Sequence, residues 1–135
     1  MTISLRAAVL DDCEQVWLWN FAADVRALSN DPTIVELARH AAWFVHRIGE
    51  GAFWIIEQDG VAVGNTRIDR DGRISIALAA DARGRGVGKS AIALACAAYG
   101  SPVVAQIHEG NTRSRAAFEA CGFVNNGGDT YQWSP

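Results

Sequence analysis

Residues 74–90 read Ile-Ser-Ile-Ala-Leu-Ala-Ala-Asp-Ala-Arg-Gly-Arg-Gly-Val-Gly-Lys-Ser, and no other segment constrains the chain as strongly. Ile74 to Leu78 has the β-branched, apolar character of a strand. Gly84, Gly86 and Gly88 then interrupt it. The alanine-rich stretch from about Val87 to Tyr99 continues as a helix until Gly100-Ser101-Pro102 forbid further turns. A strand that enters a helix through a glycine loop can aim several backbone N–H groups at one point. The first-turn amides of the helix lack intrahelical acceptors and lie at the positive end of its dipole. Such a junction holds an anion, most often a pyrophosphate.

Two common phosphate motifs fail on spacing. A P-loop ending in Gly88-Lys89-Ser90 needs a glycine where Arg83 stands, and only 45 residues follow Ser90. A dinucleotide fold needs G-x-G-x-x-G followed about 20 residues later by an acid; the chain offers Gly84-x-Gly86-x-Gly88 and then Val104. The loop belongs to another kind of site.

The remaining elements surround this segment in a definite order. Ile3 to Val9 reads as a strand, and Leu10-Asp11-Asp12 supplies N-cap chemistry for a helix through about Ala27. Asp31-Pro32-Thr33 opens a second helix. Its apolar positions from Ile34 to Ile48 recur at three and four, and Gly49 ends it. Phe53 to Glu57 and Val61 to Ile68 flank Gln58-Asp59-Gly60 as a hairpin, and Arg70-Asp71-Gly72 turns again into Ile74. After the glycine loop come a strand from Val103 to Ile107, a helix from Asn111 to Ala120, and a terminal strand pair around Asn126-Gly127-Gly128. The expected architecture is α/β (α+β), with a mixed, mostly antiparallel sheet flanked by helices, in one domain spanning residues 1–135.

Charge divides along the same line. The chain carries a net −3, yet residues 67–115 hold eight cations against four acids, a net of +4 that leaves −7 elsewhere. The acidic mean argues against a nucleic-acid partner, because phosphate neutralisation needs a basic face. The basic island points instead to a compact phosphate-bearing cofactor, and the acidic remainder suits attraction of a cationic ligand. Cys13, Cys96 and Cys121 are odd in number and show no ligand spacing, so neither disulfides nor a metal site are expected. No window has the length of a signal peptide's apolar run or of a membrane span, and the expectation is a cytoplasmic protein with no membrane partner.

The spacing that does fit is Arg83-x-x-Gly86-x-Gly88, which resembles the Q/R-x-x-G-x-G/A signature of the GNAT superfamily of acyl-CoA-dependent N-acetyltransferases. Asn111-Thr-Arg-Ser114 followed by Phe118 and Gly122-Phe123 resembles that family's later segment, and the order of elements is the family's as well. The resemblance covers nearly the whole chain. It implies that acetyl-CoA is the cosubstrate, with no metal, and that backbone amides of Arg83, Gly84, Arg85, Gly86, Val87, Gly88 and Lys89 cradle its pyrophosphate. It further implies a splay between the strand ending near Leu78 and the parallel strand from Val103. Pantetheine would lie there against Ile76, Leu78 and Ala80, with Asn111 and Ser114 touching the cofactor from the opposite side. A Leu78 amide would act as a one-donor oxyanion hole.

Catalysis and substrate are less fully specified. The family often places a tyrosine as the acid in the last helix, where Phe118 stands here. His108 and Glu109 are the candidate bases, acting through a water. Trp17-Leu-Trp19-Asn20, Val25-Arg26 and His40-Ala-Ala-Trp43-Phe44 resemble the branch that acetylates nucleotide-linked amino sugars, as in pseudaminic acid biosynthesis. Trp17, Trp19, Asn20, His40 and Trp43 are therefore the expected substrate residues, although tryptophans at helical spacing also suit a core. The expected function is acetyl transfer from acetyl-CoA to a primary amine, with an amino sugar favoured over a peptide N-terminus or a small amine. A non-catalytic acetyl-CoA-binding module is the contrasting reading, and a homodimer is an assembly common among such enzymes.

Overall fold

The computed structural model describes residues 1–22, 25–26 and 35–135. Strand β1 (Ile3–Ala7) leads through a 3-10 turn (Leu10–Asp12) into helix α1 (Cys13–Asn20), and helix α2 spans Leu37–Gly49. Strands β2 (Phe53–Gln58), β3 (Val61–Ile68) and β4 (Ile74–Leu78) follow, then helix α3 (Val87–Tyr99). Strand β5 (Val103–Gln106), helix α4 (Thr112–Ala120) and strands β6 (Val124–Asn125) and β7 (Thr130–Trp133) complete the order. The first helix is shorter than its sequence pattern predicts, because Phe21 closes on Trp17 and leaves helical geometry. The Asp31-Pro32-Thr33 start expected for the second helix and the Ala27 end expected for the first lie outside the described residues.

Strands β1 to β4 form an antiparallel meander in sequence order, and β5, β7 and β6 form a second antiparallel sheet. Asp59 and Gly60 both take positive φ, which is what a two-residue hairpin turn requires. The two sheets meet at one parallel bridge, Arg73 to Val104, where the Val104 amide donates to the Gly72 carbonyl at 2.8 Å. Beyond that bridge β4 and β5 part, which is the expected splay.

Alternation along the strands sorts the core onto two faces. Val16, Trp19, Phe44, Phe53, Ile55 and Ala77 pack beneath α1 and α2. Ile68, Ile74, Ile92, Val103 and Phe118 pack on the α3 face, where Ile56, Val87 and Ala91 form an adjoining cluster. Strand β4 thus divides its side chains between the two faces. Gly64 has to be glycine because a Cβ there would meet the Ala77 carbonyl and come within 3.0 Å of the Leu78 Cα, backbone atoms that cannot step aside. A buried arginine, absent from the sequence expectations, ties α2 to the sheet. Arg47 donates to the Gly51 and Ile68 carbonyls at 2.6 and 2.8 Å and to Asp69 at 3.0 Å.

Candidate active site

The glycine loop forms as its sequence requires. Gly84 and Gly86 adopt φ of 75° and 81°, a left-handed region that other residues enter at a cost, and Gly86 is the N-cap of α3. The helical ladder starts with the Ser90 amide donating to the Gly86 carbonyl, so the amides of Val87, Gly88 and Lys89 have no acceptor within the helix. A Cβ built on Gly84 or Gly86 meets nothing within 4 Å, so the loop borders open space. These features fit a pyrophosphate. The Arg83 guanidinium donates to the Leu78 carbonyl at 2.9 Å, bracing the loop against the end of β4.

The edge of β4 beside the loop is open for a reason visible in its hydrogen bonding. Ala79 donates to Val63 and Arg73 accepts from Asp69, so odd-numbered peptide groups of this strand face β3. The peptide groups of Ile76 and Leu78 therefore face the splay. His108 and Glu109 follow the end of β5 at Gln106, where the chain turns and the Asn111 amide donates to the His108 carbonyl at 2.8 Å. The His108 Nδ1 accepts from the Gly110 amide at 3.1 Å, which leaves Nε2 as that ring's available atom. The Glu109 carbonyl accepts from Arg115.

On the opposite face of the sheet a cavity of about 470 Å³ lies between α1, α2, β3 and β4. Asn20, Phe21, Val25, Arg26, Val35, Arg39, His40, Trp43, Asn65, Arg67, Ser75, Ile76 and Ala77 line it. Asn65 is buried and donates to the Asn20 Oδ1 at 3.0 Å. His40 is 3% exposed, and its Nε2 donates to the Cys13 carbonyl at 3.0 Å. Burial holds this ring below the ordinary imidazole value, so it is neutral near pH 7. The Arg67 guanidinium lies 5.0 Å over the Trp43 ring and donates to Asp69 at 3.2 Å. Burial pulls its pKa down, Asp69 opposing and the neighbouring Arg47 adding to the fall.

The sequence profile of the acetyltransferase (GNAT) domain matches residues 2–124. The chain belongs to the GNAT acetyltransferase family. Its fold is similar to the aminoglycoside acetyltransferase AAC(6')-Ib in complex with ribostamycin and coenzyme A, with a TM-score of 0.82 at 13% identity, covering 99% of this chain and 94% of that one. It is similar to the spermidine N-acetyltransferase from Vibrio cholerae in complex with CoA and spermine, with a TM-score of 0.79 at 16% identity, covering 96% and 92%. The microcin C7 self-immunity acetyltransferase in complex with acetyl-CoA and AMP matches with a TM-score of 0.73 at 18% identity, covering 98% and 92%. A search of curated protein sequences finds no match.

The residues of this GNAT acetyltransferase distribute unevenly against expectation. Asn20, His40 and Trp43 line the cavity. Trp19 and Trp17 do not, which corrects the substrate role expected of them: Trp19 is 9% exposed within the core, and the Trp17 indole N–H donates to the Val35 carbonyl at 2.8 Å. Asn111 caps α4 by accepting from the Ser114 amide at 3.1 Å, so both residues have a local structural task. Phe118 packs edge-on against Phe123 at 4.9 Å in the core, where a tyrosine hydroxyl would lack water. The Cys121 thiol donates to the Lys89 carbonyl, and burial pushes its pKa up, as suits packing rather than nucleophilic attack.

The charge division is corrected as well. Arg67, Arg70 and Arg73 of the basic island pair with Asp69, Glu50 and Asp71 around the β3–β4 turn rather than joining the glycine loop. Among the described residues the cavity carries three arginines and no carboxylate, opposite to the acidic attraction expected there. Arg67 and Asn65 were missed because only the register of β3 brings them opposite Ser75 and Ala77. Their signal in the sequence was the polar run Asn65-Thr66-Arg67 inside an otherwise buried strand.

Proposed function

We propose that the chain transfers an acetyl group to a primary amine bound in the cavity, an amino sugar or nucleotide-linked amino sugar being favoured. The observation that carries this reading is that β4 serves two sites at once. Ser75, Ile76 and Ala77 line the cavity, while the same strand presents the Ile76 and Leu78 peptide edge to the splay and leads through the 3-10 turn Ala80–Ala82 into the glycine loop.

Acetyl-CoA, when bound, supplies a thioester activated for acyl transfer. The amides from Arg83 to Lys89 hold its pyrophosphate, with Arg83 and Lys89 adding charge. The Ile76 and Leu78 peptide edge takes pantetheine in the manner of an added strand, whereas Ala80, expected to extend it, lies in a 3-10 turn (Ala80–Ala82) beyond the strand. The Leu78 amide donates to the acyl oxygen as negative charge develops there, a contribution of about 3 kcal/mol for a single donor. Glu109, or His108 through Nε2, accepts the amine's proton by way of a water, because only the neutral amine is nucleophilic. Phe118 donates nothing. An alkyl thiol with a pKa of about 8.5 leaves as thiolate without assistance.

Thiol release from acetyl-CoA across a panel of amino sugars, nucleotide-linked amino sugars, polyamines and peptides tests this reading. Turnover is expected on amino sugars. Tight acetyl-CoA binding with no turnover on any amine would contradict it. Gly86→Glu places a side chain and a negative charge where φ is 81°, and acetyl-CoA affinity is expected to fall by about a hundredfold or more while the fold persists.

A further inference from the structure

The cavity's charge is the feature that the amine reading leaves unexplained. Arg26, Arg39 and Arg67 enter it from three different segments, with no carboxylate among the described lining residues. A guanidinium is always charged and presents a planar fork matched to carboxylate or phosphate. Arg67 already pairs with Asp69, and among the described residues no carboxylate pairs with Arg26 or Arg39. Arg26 donates through Nε to the Phe21 carbonyl at 3.3 Å, and Arg67 through Nε to Asp69, so among the described residues the terminal nitrogens of neither are taken. Arg39 is exposed on α2 and has no ion pair among the described residues.

Arg67 is also under-neutralised. Its partner Asp69 accepts from Arg47 through the same Oδ1, so one carboxylate oxygen serves two guanidiniums, with Glu50 at 3.8 Å from Arg47 as the only other carboxylate paired with either among the described residues. The Trp43 indole fixes the plane of the Arg67 group and forms the cavity wall. An arriving anion would relieve this excess charge, whereas a polycation would meet repulsion from three sides.

We propose that the cavity selects acceptors bearing an anionic group, a carboxylate or a phosphate, in addition to the amine, and that Arg67, Arg26 and Arg39 bind it. The inference rests on the reading of the cavity as the acceptor site. Its test compares matched amines differing in charge: glucosamine with glucosamine 6-phosphate, an α-amino acid with its amide, and spermine as the polycation. The anionic member of a pair is expected to have at least about tenfold higher kcat/KM, chiefly through KM, and spermine the lowest. The pair that shows the larger effect distinguishes phosphate from carboxylate.

Arg39→Glu, at an exposed position with no ion pair among the described residues, is expected to erase or invert the preference with folding intact. Arg67→Gln is expected to do the same more strongly. Equal kcat/KM within both pairs, or a preference for spermine, would overturn the proposal. Thermal melts with the same compounds separate it from the transferase reading. Stabilisation by the anionic amines that Arg39→Glu removes, with no acetyl transfer, would sink the transferase reading and leave the anion site standing. Stabilisation indifferent to charge would sink the anion site itself.

Discussion

The proposed donor cradle and the proposed acceptor cavity adjoin opposite sides of strand β4 yet are built in opposite ways. The cradle occupies consecutive residues, and its working atoms are backbone amides that glycine geometry exposes at 84–89. The cavity assembles side chains from α1, α2, β3 and β4, with positions as far apart as Asn20 and Ala77. A backbone site depends on local conformation. A side-chain site depends on every element that positions its walls, so damage far from the cavity reaches it.

The largest expected effect therefore comes from a residue that touches neither ligand. Arg47→Met leaves the Ile68 and Gly51 carbonyls and Asp69 without their buried partner, and unfolding stability is expected to drop by about 3 kcal/mol. Denaturant melts read this directly. Acetyl-CoA affinity of the folded fraction should stay within a fewfold, and a selective loss of donor binding would break the division between the regions.

Gly64→Ala is the variant that should damage both regions, since the added Cβ collides with backbone at Ala77 and Leu78. A cost on the order of 2 kcal/mol is expected, together with weaker acetyl-CoA binding, because the strand edge itself must shift. Intact donor affinity in this variant would mean that β4 does not carry the cleft. Trp43→Ala comes next. Losing the contact with Arg67 costs about 1 kcal/mol, and the acceptor KM should rise while the acetyl-CoA Kd is unchanged in calorimetry.

The smallest effect concerns His40, whose folded pKa is lowered by burial. Below about pH 6.5 the unfolded chain then binds more protons than the folded one, so stability contributed by the neutral ring is present above that pH and declines as pH falls. The melting midpoint should drop between pH 7 and pH 5, and His40→Gln should flatten that dependence. Parallel slopes in the two proteins would remove the argument for a buried neutral ring.

This contrast also explains what the sequence made legible. The strand, glycine loop and helix of 74–90, the hairpin at Asp59-Gly60 and the terminal strand pair are local, and local rules located them. The cavity required the β3–β4 register, which aligns Arg67 with Ser75 and Asn65 with Ala77, and the packing of α2, which turns His40 inward and leaves Trp43 at 37% exposure. Helical spacing grouped Trp17 and Trp19 with Trp43, but spacing alone does not reveal which face a helix buries. Trp19 faces the core beside Val16 and Phe44, and Trp17 reaches Val35. Charge summed along the chain misled in a related way, because Arg67, Arg70 and Arg73 are neighbours in sequence to the loop and yet belong to the cavity side and the β3–β4 turn.

The central claim is that one strand joins donor cleft and acceptor cavity, with the Leu78 amide at their meeting point. Titrating the isotopically labelled protein with acetyl-CoA, and separately with CoA, while following backbone amide resonances tests it most directly. The account predicts large shifts at Ile76, Leu78 and the amides of residues 84–89 with either ligand, and an additional shift at Leu78 that only the acetyl form produces. A Leu78 amide that responds to neither ligand, or identically to both, would contradict it.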